Sequence, residues 1–190
     1  MPTRPYGKRT SVSRHNSPEM SATDVINVLG SMEQMGAPVW VDGGWAVDAN
    51  LGVQTRRHRD LDVVIEEKCL TGAVGVLAHL DFEPDEEDDA RPWNFVLADT
   101  GGHLVDFHVV TIAPDGSGLY GPQDDNGECY PAGSLEGEGT IAGYTVRCVT
   151  PEALVEFHTG YELGDTDWAD VRALCDRFDI PIPSDFDIFR

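Results

Sequence analysis

The chain has 190 residues, of which 41% are hydrophobic, and this size and composition suit one catalytic domain with a small appended piece. Its formal net charge of −21 argues against a nucleic-acid partner, because a body this acidic repels a phosphate backbone. The sequence has no apolar run of membrane-spanning length and no apolar leader, and its four cysteines are widely spaced. We therefore expect a cytoplasmic protein with reduced thiols and no membrane contact.

The first segment of the chain is basic, whereas everything after it is acidic. Residues 1–19 carry a net charge of +3 and hardly an apolar side chain, which predicts a disordered tail. A helix follows, capped by Ser21 or Thr23 and ending near Met35, with an apolar face formed by Val25, Val28, Leu29 and Met32.

The next stretch predicts a strand, a two-glycine turn and a short helix. Val39, Trp40 and Val41 suit a buried strand, and the consecutive residues Gly43 and Gly44 allow a sharp turn or a close approach of a ligand. A helix that begins after such a turn presents free backbone N–H groups, which form an anion site.

A basic cluster and a second strand come directly afterwards. Arg56, His58 and Arg59 precede the strand at residues 60–65, whose period of two places Asp60 and Asp62 on one face. Two carboxylates on one strand face repel each other unless a cation lies between them, and oxygen ligands suit Mg²⁺.

The following elements are predicted as a helix at 69–80, a solvated acidic loop at 81–90, a strand at 93–98, a hairpin turn at 100–102 and a return strand at 103–110. On the return strand, Asp106 and His108 face away from the apolar side, and an Asp among strand-forming residues is unfavourable by propensity. This placement makes Asp106 a candidate functional residue, with an ion pair to an arginine as the structural alternative.

The last third of the chain is predicted as an irregular segment at 113–139 with low core content, a hairpin at 141–149 turned at Ala142 and Gly143, and two helices. The first helix spans 150–159 and opens with Pro151; the second is capped near Asp165 or Thr166 and ends before Pro181.

Two motifs resemble a known family. The run Gly43-Gly44-Trp45 with Asp48 three residues later, followed by Arg56-x-His58-Arg59-Asp60-x-Asp62, resembles the small antibiotic nucleotidyltransferases of the DNA polymerase β superfamily, of the lincosamide and aminoglycoside 2″ types. The run from Leu154 to Asp167 is similar to the lincosamide type. The resemblance implies an α+β nucleotidyltransferase fold, a mixed twisted sheet flanked by helices. The catalytic domain would span 20–149, and a C-terminal helical segment on the acceptor side would span 150–190.

The same resemblance implies a set of functional residues. Asp60, Asp62 and Asp106 would hold two Mg²⁺ ions, with Asp106 as the general base. The nucleotide, ATP or another triphosphate, would be bound by Gly43, Gly44, Arg56, His58 and Arg59. The acceptor would be bound by Asp48, His108, His158 and Tyr161. Asp48 and His108 each have an equally good structural interpretation, as a favourable charge in a first helical turn and as a hydrogen-bonded histidine.

The predicted reaction is Mg²⁺-dependent transfer of a nucleoside monophosphate, AMP in the first instance, from the triphosphate to a hydroxyl of a small antibiotic. A lincosamide is the first candidate for the acceptor. An aminoglycoside is the alternative that the acidic charge favours, and a metabolite would suit the same chemistry. Other classes are a non-catalytic, antitoxin-like nucleotide-binding module and a protein-modifying enzyme. The resemblance also implies a homodimer.

Overall fold

The computed structural model describes residues 18–123 and 128–189. The predicted disordered tail lies outside the described residues except for its last two positions. The α-helices are α1 (Ala22–Gln34), α2 (Gly43–Leu51), α3 (Glu67–Ala78), α4 (Pro151–Phe157) and α5 (Asp165–Phe178). The strands are β1 (Val39–Asp42), β2 (Asp60–Glu66), β3 (Glu83–Pro84), β4 (Asn94–Ala98), β5 (Leu104–Ile112), β6 (Gly118–Tyr120), β7 (Glu128–Tyr130), β8 (Gly137–Ile141) and β9 (Tyr144–Cys148).

The strands form one mixed sheet in the order β3-β4-β5-β2-β1-β9-β8, and β6 and β7 extend it from the far end of β5. Strand β2 pairs with β1 in the antiparallel sense and with β5 in the parallel sense. Helices α1 and α3 contact each other and strands β1, β2 and β5, whereas α2 contacts β1, β2, β8 and the helices α4 and α5. The expected α+β architecture, a mixed sheet flanked by helices, is confirmed.

Helix α1 follows the predicted pattern closely. Ser21 caps it by accepting a hydrogen bond from the Asp24 backbone N–H at 3.3 Å, and the Asp24 carboxylate accepts one from the Ser21 backbone N–H at 3.0 Å. All four predicted apolar residues of this helix are buried. The local signals therefore agree with the packing.

The prediction of an irregular segment with low core content at 113–139 is wrong. It contains β6, β7 and the first residues of β8, and it contributes the buried side chains of Tyr120, Tyr130 and Leu135 to the core. Short strands separated by Gly and Pro show no measurable alternation, so periodicity could not find them.

Several element boundaries also differ from the predictions. Helix α2 begins at Gly43 itself, so no separate turn follows β1. Helix α3 ends before Leu80, which is 40% exposed. Gly164 is the N-cap of α5, and its backbone N–H donates to Asp167 Oδ2 at 2.8 Å. A 3₁₀ helix at Ser184–Phe189, which was not predicted, buries Phe186.

Residues from α4 and α5 join those of the sheet in one hydrophobic core. The division at residue 149 into a catalytic domain and an acceptor-side segment stays a prediction. Among the described residues, no helix is both long and apolar enough to cross a membrane.

Candidate active site

The strand register brings three carboxylates into one row across the sheet. Asp42 pairs with Asp62 across β1 and β2, and Asp62 pairs with Asp106 across β2 and β5. Directly paired residues project their side chains to the same face. Asp62 and Asp106 therefore lie side by side on one face of the sheet, as the alternation of side chains along each strand predicts.

A potential metal-binding group lies at this row. Ligand atoms of Asp62, Asp106 and His108 all fall within 4.8 Å of one another. Asp60 lies two residues before Asp62 on β2 and is exposed, at the open end of the same strand face. The carboxylate oxygens suit Mg²⁺, with Asp62 and Asp106 as the central pair and Asp60 beside them.

Electrostatics support a cation at this position. Burial, and then the negative charges of Asp60 and Asp106, raise the pKa of the Asp62 carboxyl well above its usual value. A divalent cation between these carboxylates would remove that repulsion, so the residues present fit the metal that the resemblance implies.

A buried network of hydrogen bonds lies next to the three carboxylates and was not predicted from the sequence. The Tyr130 hydroxyl donates to Asp42 Oδ2 at 2.8 Å, so its oxygen accepts the hydrogen bond from His108 Nδ1 at 2.7 Å. His108 Nδ1 also lies 3.5 Å from Asp42 Oδ2, and its Nε2 lies 3.7 Å from Asp106 Oδ1. His108 is thus hydrogen-bonded to Tyr130 and lies beside Asp106, at 3% exposure.

Within this hydrogen-bonded group, the positive charge of His108 compensates the negative charges of the neighbouring carboxylates. Burial opposes the charged form of His108, but its contact with Asp42 and the charges of Asp106, Asp42 and Asp62 raise its pKa to about 9. Burial likewise opposes ionisation of Asp42, but the contacts with His108, Tyr130 and Gly43 hold its pKa below the usual value. The imidazolium therefore offsets part of the negative charge around Asp106.

Asn94 at the start of β4 orients Asp106. Its Nδ2 donates to Asp106 Oδ1 at 2.8 Å and to the Phe107 carbonyl at 3.2 Å. Asn94 was not predicted as a site residue either. Its one signal in the sequence is that Asn is uncommon in strands, so a polar contact is expected where it occurs in one.

The two glycines are needed because side chains from β2 and the basic cluster occupy the space beside them. A Cβ at Gly43 would overlap Asp62 Oδ2, and the backbone there has φ of +56°. A Cβ at Gly44 would overlap Arg56 Nη2 and His58 Nδ1. Asp42 is the N-cap of α2 and accepts from the Gly43 N–H at 2.7 Å. The first turn of α2 therefore lies directly against Asp62 and the basic cluster.

The three basic residues of the cluster differ in their surroundings. Arg56 forms a salt bridge with Asp170 of α5 at 2.9 Å. His58 is 3% exposed and lies against Asp48 of α2, whereas Arg59 is exposed. The structure thus places Arg56 and His58 at the start of α2, and Arg59 at the surface beside them.

The four candidate acceptor residues differ in their surroundings. Asp48 is 2% exposed and accepts hydrogen bonds from Thr55 and His58. His158 and Tyr161 lie in the α4–α5 connection, where His158 Nδ1 contacts the Leu154 carbonyl and the Tyr161 hydroxyl donates to Asp167. Of the four predicted acceptor residues, His108 is the one beside the carboxylate row.

Comparison with known proteins gives the same assignment. Residues 24–174 match the profile of the aminoglycoside-2''-adenylyltransferase family. The chain belongs to this family. It is a nucleotidyltransferase, as predicted.

Individual relatives are of two kinds. A lincosamide resistance protein of Staphylococcus haemolyticus is 26% identical over 80% of this chain and 92% of its own length. A 2''-aminoglycoside nucleotidyltransferase of Escherichia coli is 30% identical over 77% of this chain and 78% of its own length. The sequence thus resembles both types that the motifs indicated.

Solved structures show the same fold. The lincomycin-bound crystal structure of the lincosamide antibiotic adenylyltransferase LnuA superimposes with a TM-score of 0.72 at 24% identity, covering 83% of this chain and 98% of that one. The complex of ANT(2'')-Ia with adenylyl-2''-tobramycin superimposes with a TM-score of 0.65 at 24% identity, covering 82% of this chain and 88% of that one.

Proposed function

We propose that this nucleotidyltransferase transfers AMP from ATP to a hydroxyl of a small antibiotic in a Mg²⁺-dependent reaction, and that a lincosamide is its first candidate acceptor. The observation that carries the proposal is the pairing of Asp62 with Asp106 beside the first turn of α2. Acidic ligands and an anion-binding helix terminus are the two groups that nucleotidyl transfer requires.

Each residue of the site has a role in this proposal. Asp62 and Asp106, with Asp60 beside them, would hold magnesium, which neutralises phosphate charge when bound. The start of α2 at Gly43 and Gly44 would receive the triphosphate, with Arg56 as a side-chain donor, His58 beside it and Arg59 at the rim.

Asp106 is the candidate general base. Asn94 fixes its orientation through Oδ1, and the carboxylate would accept the proton of the acceptor hydroxyl while the oxygen attacks the α-phosphorus and pyrophosphate leaves. The buried His108, whose Nε2 lies 3.7 Å from Asp106 Oδ1, offsets part of the negative charge around this carboxylate.

The choice of acceptor rests on two different observations. The match extends over 92% of the lincosamide relative and 98% of LnuA, which favours a lincosamide. The net charge of −21 and the 30% identity to the aminoglycoside enzyme favour an aminoglycoside as the second candidate, since a polycation is attracted to an acidic body. His158, Tyr161 and a homodimeric assembly belong to the same proposal through the sequence resemblance.

The test is pyrophosphate release by the purified protein, with ATP or GTP, Mg²⁺, and lincomycin or tobramycin. We expect release with ATP and lincomycin, loss of activity in EDTA, recovery with Mg²⁺, and a product heavier by one nucleoside monophosphate. Asp106→Asn should lower kcat by about 10²–10⁴-fold. Asp176→Asn, at an exposed position of α5, is the matched control and should be unchanged.

Two outcomes would revise the proposal. Release with tobramycin alone would make the aminoglycoside the acceptor. No release with either acceptor, in a protein that binds Mg²⁺ and ATP, would refute an antibiotic of these two classes as the substrate.

A further inference from the structure

Two basic side chains pack against Gly44 at the start of α2, and each is held from behind by a buried carboxylate. Asp170 of α5 holds Arg56, and Asp48 of α2 holds His58. We propose that Asp48 and Asp170 are positioning residues of the nucleotide site, which aim His58 and Arg56 at the triphosphate. This inference rests on the proposed function.

Asp48 fixes the direction of His58. Its Oδ1 accepts from the Thr55 backbone N–H at 3.0 Å and from the Thr55 hydroxyl at 2.6 Å, and its Oδ2 lies 2.5 Å from His58 Nε2. The ring edge that carries Nε2 is therefore anchored at Asp48, and the opposite edge, with Nδ1, packs against Gly44.

Trp45 restricts the same imidazole from the side. Its ring centroid lies 4.6 Å from that of His58, with 40° between the planes. Both residues are almost fully buried, at 2% and 3% exposure. The imidazole is thus held by a carboxylate at one edge and by an indole at its face, and its direction is set before any ligand binds.

Asp170 accepts hydrogen bonds from two nitrogens of the Arg56 guanidinium. Arg56 Nε donates to both Asp170 oxygens at 3.3 Å, and Nη2 donates to Oδ2 at 2.9 Å. Asp170 is 4% exposed, whereas the Arg56 side chain is 35% exposed. The buried partner therefore fixes the guanidinium plane, and the half-exposed one reaches the surface beside Gly44.

Fold stability alone does not account for these two pairs. A buried carboxylate with a basic partner recovers little more than the cost of its desolvation, and apolar residues of similar size are often as stable. Both pairs also converge on Gly44, where any side chain would overlap Arg56 Nη2 and His58 Nδ1. A positioning role explains why two carboxylates are buried beside a site for a polyanion.

Double-mutant cycles test the proposal through binding as well as activity. The probe is ATP with Mg²⁺, and the measurements are the Kd by calorimetry and the KM and kcat from pyrophosphate release. We expect Asp170→Asn to raise the Kd and the KM for ATP about tenfold, with kcat nearly unchanged, because the guanidinium keeps its charge but loses its direction. In an Arg56→Gln background the same change should have no further effect.

The second cycle combines Asp48→Asn with His58→Gln. Asp48→Asn alone should raise the Kd and the KM for ATP with kcat nearly unchanged, and it should have no further effect in the His58→Gln background. If Asp48→Asn does not fold, Thr55→Ala, which removes one donor to Asp48, should weaken ATP binding in the same direction by a smaller factor. Asp176→Asn on α5 is the control for both cycles, because its side chain is 69% exposed.

The results separate this inference from the proposed function. A wild-type protein that neither binds ATP nor releases pyrophosphate would refute the function. An active wild-type protein whose Kd for ATP is unchanged in Asp170→Asn and Asp48→Asn would overturn the positioning role. Losses that persist unchanged in the Arg56→Gln and His58→Gln backgrounds would overturn it as well.

Discussion

Gly43 shows how one missing side chain shapes the site. Its φ of +56° is in the left-handed region, and a Cβ would overlap the Asp62 carboxylate. We expect Gly43→Ala to lower the free energy of unfolding by about 1–3 kcal/mol, from backbone strain and displacement of Asp62. Urea unfolding followed by circular dichroism measures the change.

The matched control for this substitution is Gly72→Ala in α3. Nothing lies within 4 Å of a Cβ at Gly72, and the position is inside a helix. Alanine there should raise the free energy of unfolding by about 0.5–1 kcal/mol. Equal effects of the two substitutions would contradict a steric requirement for glycine at position 43.

Tyr130 is the second residue whose role can be tested by stability. In Tyr130→Phe, Asp42 Oδ2 loses its donor and His108 Nδ1 loses its acceptor in a buried environment. We expect a loss of about 1–3 kcal/mol in the free energy of unfolding. Tyr144→Phe, whose exposed hydroxyl donates to Glu33, should change it by less than about 0.5 kcal/mol. Similar losses in both variants would refute the buried network.

At the scale of elements, the β4–β5 hairpin contains a turn that depends on pH. Asp99 Oδ1 accepts from the His103 backbone N–H at 2.9 Å, and Oδ2 lies 2.8 Å from the His103 ring. Burial opposes ionisation, but these contacts hold the pKa of Asp99 below its usual value. The contribution to stability is therefore present above the unfolded-state pKa and is lost as pH falls through the folded-state value.

Asp99→Asn tests this linkage. We expect the variant to be about 1 kcal/mol less stable than the wild type at neutral pH. The difference should shrink as the pH is lowered towards about 2.5, because protonation makes the Asp99 carboxyl neutral, like the amide that replaces it. Chemical denaturation at the two pH values measures the difference. A gap that stays constant or grows in acid would contradict the assignment.

The same scale shows which features the sequence could predict. The path from β1 through α2 to β2 was predicted because its signals are local: an apolar strand, a glycine pair and the alternation of a second strand lie within 30 residues. Asp106 was found because alternation on β5 placed it on the face opposite the apolar residues. The pairing of β2 with β5 then brought it to Asp62.

The contacts that were missed join distant parts of the chain. Tyr130 reaches Asp42 across 88 residues, and Asp170 reaches Arg56 across 114. Tyr130 also lies in a segment rich in Gly and Pro, where neither helical nor strand periodicity is present. No spacing rule connects such partners, since their proximity results from the topology of the sheet and from the packing of α5 on α2.

At the scale of the whole molecule, the charge sets a general response to salt. The sequence after residue 19 carries a net charge of −24. These charges lie closer to one another in the folded chain than in the unfolded chain, so they repel each other more strongly there. Salt shortens the Debye length to about 3 Å at 1 M, so it relieves the repulsion most in the compact state. We expect 0.5–1 M NaCl to raise the free energy of unfolding by about 1 kcal/mol, and Tm by about 2–4 °C.

The measurement is thermal unfolding at increasing NaCl, with sucrose at equal osmolality as the control for a general solute effect. Stabilisation that saturates at the lower salt concentrations and is absent at low sucrose would identify screening as the cause. The opposite result, a fall in Tm with salt, would mean that favourable ion pairs such as Arg56–Asp170 outweigh the repulsion among the surface carboxylates. The excess of acidic side chains makes the first result the expected one, because most of them have no basic residue available as a partner.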